Sequence, residues 1–118
     1  MKKASLIIFI SLLIIGIILD LAPIQVPTGI DKIYHFTGFF LITISSIVTF
    51  ILFFGKKQLN YFFMFILIFG GLFAGISEIL QKLTAVRGCD VMDWLVNICG
   101  IGVASALAFL MTSKREED

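Results

Sequence analysis

Charge is scarce in this chain. Of its 118 residues, only 14% are Asp, Glu, Lys or Arg, where soluble domains carry about a quarter. There are two prolines, two cysteines and a single histidine. No Pro/Ser/Gly-rich linker interrupts the sequence, so one domain is expected. The apolar runs lack period-two alternation, which argues against half-buried strands. No basic stretch is interleaved with aromatics, so nucleic acid is not an expected partner. Cys89 and Cys99 are ten residues apart, roughly 15 Å along a helix, which is too far for a disulfide. Their spacing matches no metal motif, and nothing calls for a cofactor.

What the chain has in excess is hydrocarbon. Hydrophobic residues make up 59% of it, 13 of them Phe, and the mean hydropathy is +1.09. A chain this short buries a limited share of its surface, so lipid is the expected solvent for the rest. Four apolar runs stand out, at about 4–22, 33–54, 59–80 and 91–111. Each is long enough to cross ~30 Å of hydrocarbon, which takes about 20 residues. Within lipid the backbone must satisfy its own hydrogen bonds, and runs this long must therefore be helices. The expected fold is all-α: a single domain over residues 1–118 forming a four-helix transmembrane bundle.

The first run follows Lys2 and Lys3, as a signal peptide would. No small-x-small cleavage site precedes Pro23, so the run is read as an uncleaved span. Orientation follows from the basic residues. Lys2, Lys3, Lys56, Lys57, Lys114 and Arg115 fall on one side; Lys32, Lys82 and Arg87 fall on the other. The positive-inside rule makes the richer side cytoplasmic. Both termini are then cytoplasmic, and the two longer loops face out.

The polar residues are not scattered. Asp31 and His35 open the second run; Glu78 and Gln81 close the third; Arg87 lies in the following loop; Asp90, Asp93 and Asn97 open the fourth. Antiparallel threading brings all of them to one outer end. Asp31 and His35 are i,i+4 and Glu78 and Gln81 are i,i+3, so each pair shares a helix face. Asp90, Asp93 and Asn97 form a third stripe. Ionisable groups in spans are costly and mark functional sites by default. Asp31 and Asp90 also suit helix starts, as caps. Lys32 and Lys82 read as snorkelling anchors. Gly71 and Gly75 form a G-x-x-x-G motif, and Gly100, Gly102 and three alanines thin the fourth span, as close helix packing in lipid requires. Gly38 is expected to make room beside His35.

The segment Asp31-Lys32-x-x-His35-Phe36-x-x-Phe39 resembles the first signature of the VanZ-like family. Glu78-x-x-Gln81, Arg87, Asp90-x-x-Asp93, Asn97 and Gly100 resemble its second. The resemblance runs from Asp31 to about Ala108, and its specificity lies in the fixed offsets of the second signature. Phe39 departs from it, standing where many members have Tyr. The resemblance implies a small multi-pass protein of the bacterial plasma membrane. Some members of that family are linked to glycopeptide resistance, teicoplanin in particular.

Several readings follow. In the first, the cluster binds or modifies the head group of an envelope lipid or peptidoglycan precursor. His35, Glu78 and Asp93 then exchange protons as catalytic groups. Asp31, Gln81, Arg87, Asp90 and Asn97 bind and orient, with Arg87 holding a phosphate or carboxylate. Glu78 and Asp93 in proximity could share one proton. In the second, the protein is non-catalytic, limits drug access or scaffolds a partner, and uses the cluster as a structural network. In the third, His35 with Glu78, Asp90 and Asp93 supplies an N/O metal set, although no H-E-x-x-H spacing supports it. A proton or ion pathway ranks last, because the inner halves of the spans offer only Ser and Thr.

Overall fold

A computed structural model describes residues 1–22, 27–83 and 91–114. It contains four helices: α1 (Lys2–Leu21), α2 (Thr28–Phe54), α3 (Leu59–Leu83) and α4 (Val91–Lys114). All four are long and apolar enough to cross a membrane. Among the described residues there is no strand. At the polar end α2 and α3 extend past their apolar runs. α2 starts at Thr28, so Asp31 and Lys32 lie inside its first turns. Asp31 is not the N-cap, which is Pro27 with no side-chain cap bond, but it is the acidic residue of the first turn, where its charge complements the helix dipole.

α2 and α3 form a tight hairpin. Gly55 ends α2 with φ of +77° and returns its N–H to the Ile51 carbonyl. Residues with a Cβ rarely adopt this conformation, so glycine is the fitting residue at this C-cap. Beyond the turn, the Phe50 and Phe62 rings stack with centroids 4.0 Å apart.

The most extensive interface is between α2 and α4. Gly100 permits it. A Cβ there would lie 2.6 Å from the Phe36 carbonyl oxygen and 3.3 Å from the Phe40 nitrogen, so the two backbones approach closer than any side chain allows. Ala104 beside it is fully buried. The G-x-x-x-G of α3 behaves differently. A Cβ on Gly71 would meet nothing within 4 Å, and one on Gly75 only Trp94 Nε1 at 3.7 Å. These two glycines lie beside Trp94, whose Nε1 donates to the Gly71 carbonyl at 3.3 Å. Nor does Gly38 make room for a neighbour: a Cβ there would meet open space.

α1 packs on α2 and α3 and has no buried residue of its own. The core is small, centred on Phe39, Ile47, Ile66, Ala74 and Ile101. Large apolar side chains remain exposed along every helix. In water that surface would be far larger than a soluble monomer leaves uncovered. In hydrocarbon it carries no such cost.

Candidate functional site

The ends of α1 and α3 and the starts of α2 and α4 meet at one end of the bundle, and most of the buried polar side chains gather there. His35, Ser77, Glu78, Gln81, Asp93 and Asn97 are all buried, Ser77 and Asn97 completely. Burying so many polar groups is tolerable only when they bond one another, and they do so across all four helices.

His35 lies at the centre. Its Nε2 is 3.3 Å from Gln81 Nε2 and 3.5 Å from Asp31 Oδ2, and its Nδ1 is 3.9 Å from Glu78 Oε1. Gln81 in turn donates from the same Nε2 to Asp20 Oδ1 at 2.9 Å. That bond fixes the amide, because the flipped orientation would set two oxygens against each other. The amide group facing the ring is therefore the –NH2, and Asp31 Oδ2 faces the same ring nitrogen. Glu78 Oε1 accepts from Asn97 Nδ2 at 3.4 Å. A polar chain thus runs from Asp20 through Gln81, His35 and Glu78 to Asn97, visiting α1, α3, α2, α3 and α4.

A second branch joins α2 to α4. Lys32 Nζ donates to Asp93 Oδ1 at 2.9 Å, with the Asp93 side chain 9% exposed. The reading of Lys32 as a snorkelling anchor is therefore corrected: its ammonium turns inward because a nearly buried carboxylate lies within reach. Lys82 is exposed. Glu78 Oε1 faces His35 and Asn97, whereas Asp93 Oδ1 faces Lys32. Asp31, His35 and Asp93 each place one possible ligand atom within 4.8 Å of the others. An N/O set of this kind suits divalent ions, but on Asp93 the cation is the Lys32 ammonium.

Of the sequence-derived site residues, the bundle brings together Asp31, His35, Glu78, Gln81, Asp93 and Asn97. Arg87 and Asp90 lie outside the described residues. Sequence reasoning missed Asp20 and Ser77. Asp20, in the last turn of α1, accepts hydrogen bonds from Ser77 Oγ and Gln81 Nε2. A signal was present: an acidic residue at a helix C-terminus opposes the helix dipole, and Asp20 is the only acidic residue in the first 30. It therefore required a partner elsewhere.

The network leaves an acceptor unused. Asn97 Oδ1 is buried and has no hydrogen-bond partner among the described residues. The described carboxylates of the cluster are four (Asp20, Asp31, Glu78 and Asp93), set against the Lys32 ammonium and the His35 ring. Such a cluster can hold protons, accept hydrogen bonds and attract positive charge.

An uncharacterized protein of the fission yeast Schizosaccharomyces pombe is 34% identical over 118 residues, covering 98% of this chain and 69% of the yeast protein. The chain belongs to the same family as that protein. No family model and no solved structure matches it.

Proposed function

We propose that this member of the yeast protein's family is a multi-pass membrane protein whose polar chamber binds the head group of a membrane amphiphile at one face of the bilayer. The observation that carries the reading is the buried chain Asp20–Gln81–His35–Glu78–Asn97, which ends at the unused Asn97 acceptor. Buried networks of this kind in lipid are costly, and an acceptor left open at the end of one is a place for a ligand's donor. The excess of carboxylate favours a head group that donates hydrogen bonds or carries an amine. His35 and Glu78, 3.9 Å apart, are placed to exchange a proton with it. The resemblance to VanZ-like proteins agrees with a lipid or lipid-linked precursor of the cell envelope as ligand, and with a contribution to glycopeptide resistance. In this reading both termini are cytoplasmic and the chamber faces outward.

A second reading has one specific observation in its favour. Asp20 is bonded to both Ser77 and Gln81 inside the chain, as a purely structural latch for α1 would be. Lipid co-purification separates the two. Detergent-purified protein, stripped in stages and analysed by mass spectrometry, is expected to keep one head-group class beyond its share in the membrane. Glu78→Gln and Asn97→Leu are expected to lose that enrichment at unchanged protein level. Retained lipids that mirror the bulk membrane would reject head-group binding. Loss of the folded protein in both variants, with no enrichment in the parent, would leave the latch.

A further inference from the structure

Beneath the chamber the bundle is not filled. A cavity of about 680 Å³ lies between α1, α2 and α3, within the range of about 300–1,000 Å³ of small-ligand pockets. Its walls are almost wholly hydrocarbon, with Leu13 from α1, Phe39 and Phe50 from α2, and Phe62, Phe69 and Ile76 from α3 among them. Among the described residues, none that lines it is charged.

Its position gives it a direction. Phe39 is one turn beyond His35, and Ile76 directly precedes Ser77, so the top of the cavity lies beside the polar cluster. The other end lies at the stacked pair Phe50 and Phe62. From Phe39 to Phe50 along α2 is eleven residues, or about 16 Å of helix. That is about half of the ~30 Å hydrocarbon layer, the length of one leaflet's acyl chains, and Phe50 lies one turn before the end of α2 at Phe54, so the slot runs past mid-span toward the opposite end of the bundle. A hydrocarbon-lined slot of that length, starting beside the polar cluster, matches one chemistry.

We infer that this slot seats a single acyl chain of the amphiphile whose head group lies in the chamber. The inference rests on the chamber reading for the ligand's identity, though not for the slot itself. Chain and head group would then be read by adjoining parts of one bundle, and a head group lacking the chain would lose the apolar share of its binding.

The test uses the full chain in nanodiscs of dioleoyl phosphatidylcholine. A minor fraction of phosphatidylethanolamine carries a photoreactive diazirine on one acyl chain. After photolysis, peptide mass spectrometry maps the adducts. Labelling at Leu13 and Ser46, which line the slot, is expected to exceed that at Leu107 and Leu110, exposed on α4, severalfold. Ser46→Phe fills the slot and is expected to reduce its labelling to the α4 background. Leu13→Trp, entering from the α1 wall, serves if Ser46→Phe does not fold. Leu67→Phe, on the exposed face of α3, is expected to change nothing. Even labelling of slot and outer faces means annular lipid only and overturns the inference. The same diazirine chain on phosphatidylcholine separates the two proposals. Equal slot labelling by both lipids keeps the slot and counts against head-group selection. A head-group preference without slot enrichment keeps the chamber and rejects the slot.

Discussion

Gln81 donates to Asp20 at 2.9 Å, which ties the end of α3 to the end of α1 across 61 residues of sequence. α1 has no buried residue of its own, so Asp20 is its principal specific anchor to the bundle. Asp20→Ala leaves the Ser77 hydroxyl and one Gln81 N–H without their acceptor. The expected cost is about 2 kcal/mol, the size of a charge-assisted bond lost from a buried site. Ser77→Ala removes one bond of the pair and is expected to cost about 1 kcal/mol. Denaturant titration of the purified protein in mild detergent reads both. Equal stability of Asp20→Ala and the parent would show that α1 is held by packing alone.

The α2–α4 crossing makes a sharper demand. Gly100→Ala places a methyl 2.6 Å from the Phe36 carbonyl oxygen, and the helices must separate. A loss of about 1–3 kcal/mol is expected, as for other overpacked cores. Gly102→Ala, with nothing within 4 Å of its Cβ, is expected to be neutral or slightly stabilising. Thermal unfolding of the two variants side by side decides the matter, and similar midpoints would contradict the close crossing.

The glycine pair of α3 is expected to tolerate substitution. A Cβ on Gly71 or Gly75 meets no atom closer than 3.7 Å, and alanine favours the helix by roughly 0.5–1 kcal/mol over glycine. Gly71→Ala and Gly75→Ala should therefore keep or raise the unfolding midpoint. A marked fall in either would mean that the motif holds a close helix contact after all.

Lys32 and Asp93 are expected to be energetically coupled. Removing one partner of a poorly solvated ion pair strands the other, so the double variant Lys32→Met/Asp93→Leu should be destabilised by less than the sum of the two single variants. A double-mutant cycle is expected to give a coupling of about 0.5–3 kcal/mol, toward the lower part because the Lys32 side chain is 31% exposed. Additive single effects would remove the pair from the site's energetics.

Sidedness follows from the proposal that both termini are cytoplasmic. With Cys89 and Cys99 replaced, a cysteine at Gln58 in the α2–α3 turn is expected to resist a membrane-impermeant thiol reagent in intact cells and to react after lysis. Reaction in intact cells would invert the orientation.

The sequence by itself determined four helices and the end at which the polar residues gather. Length and apolarity make each run a helix able to cross a membrane, and antiparallel threading then carries the end of α3 and the starts of α2 and α4 to one level. Asp31, His35, Glu78, Gln81, Asp93 and Asn97 were legible for that reason. Only the tertiary structure decided who bonds whom. These helices are apolar around most of their circumference, so periodicity does not fix how each one rotates about its axis. Rotation turned Lys32 inward to Asp93, brought Asp20 under Ser77 and Gln81, and chose Gly100 rather than Gly71 and Gly75 for the close crossing. Those outcomes depend on packing and on the need of each buried polar atom for a partner, and neither is written in the spacing of residues along one helix.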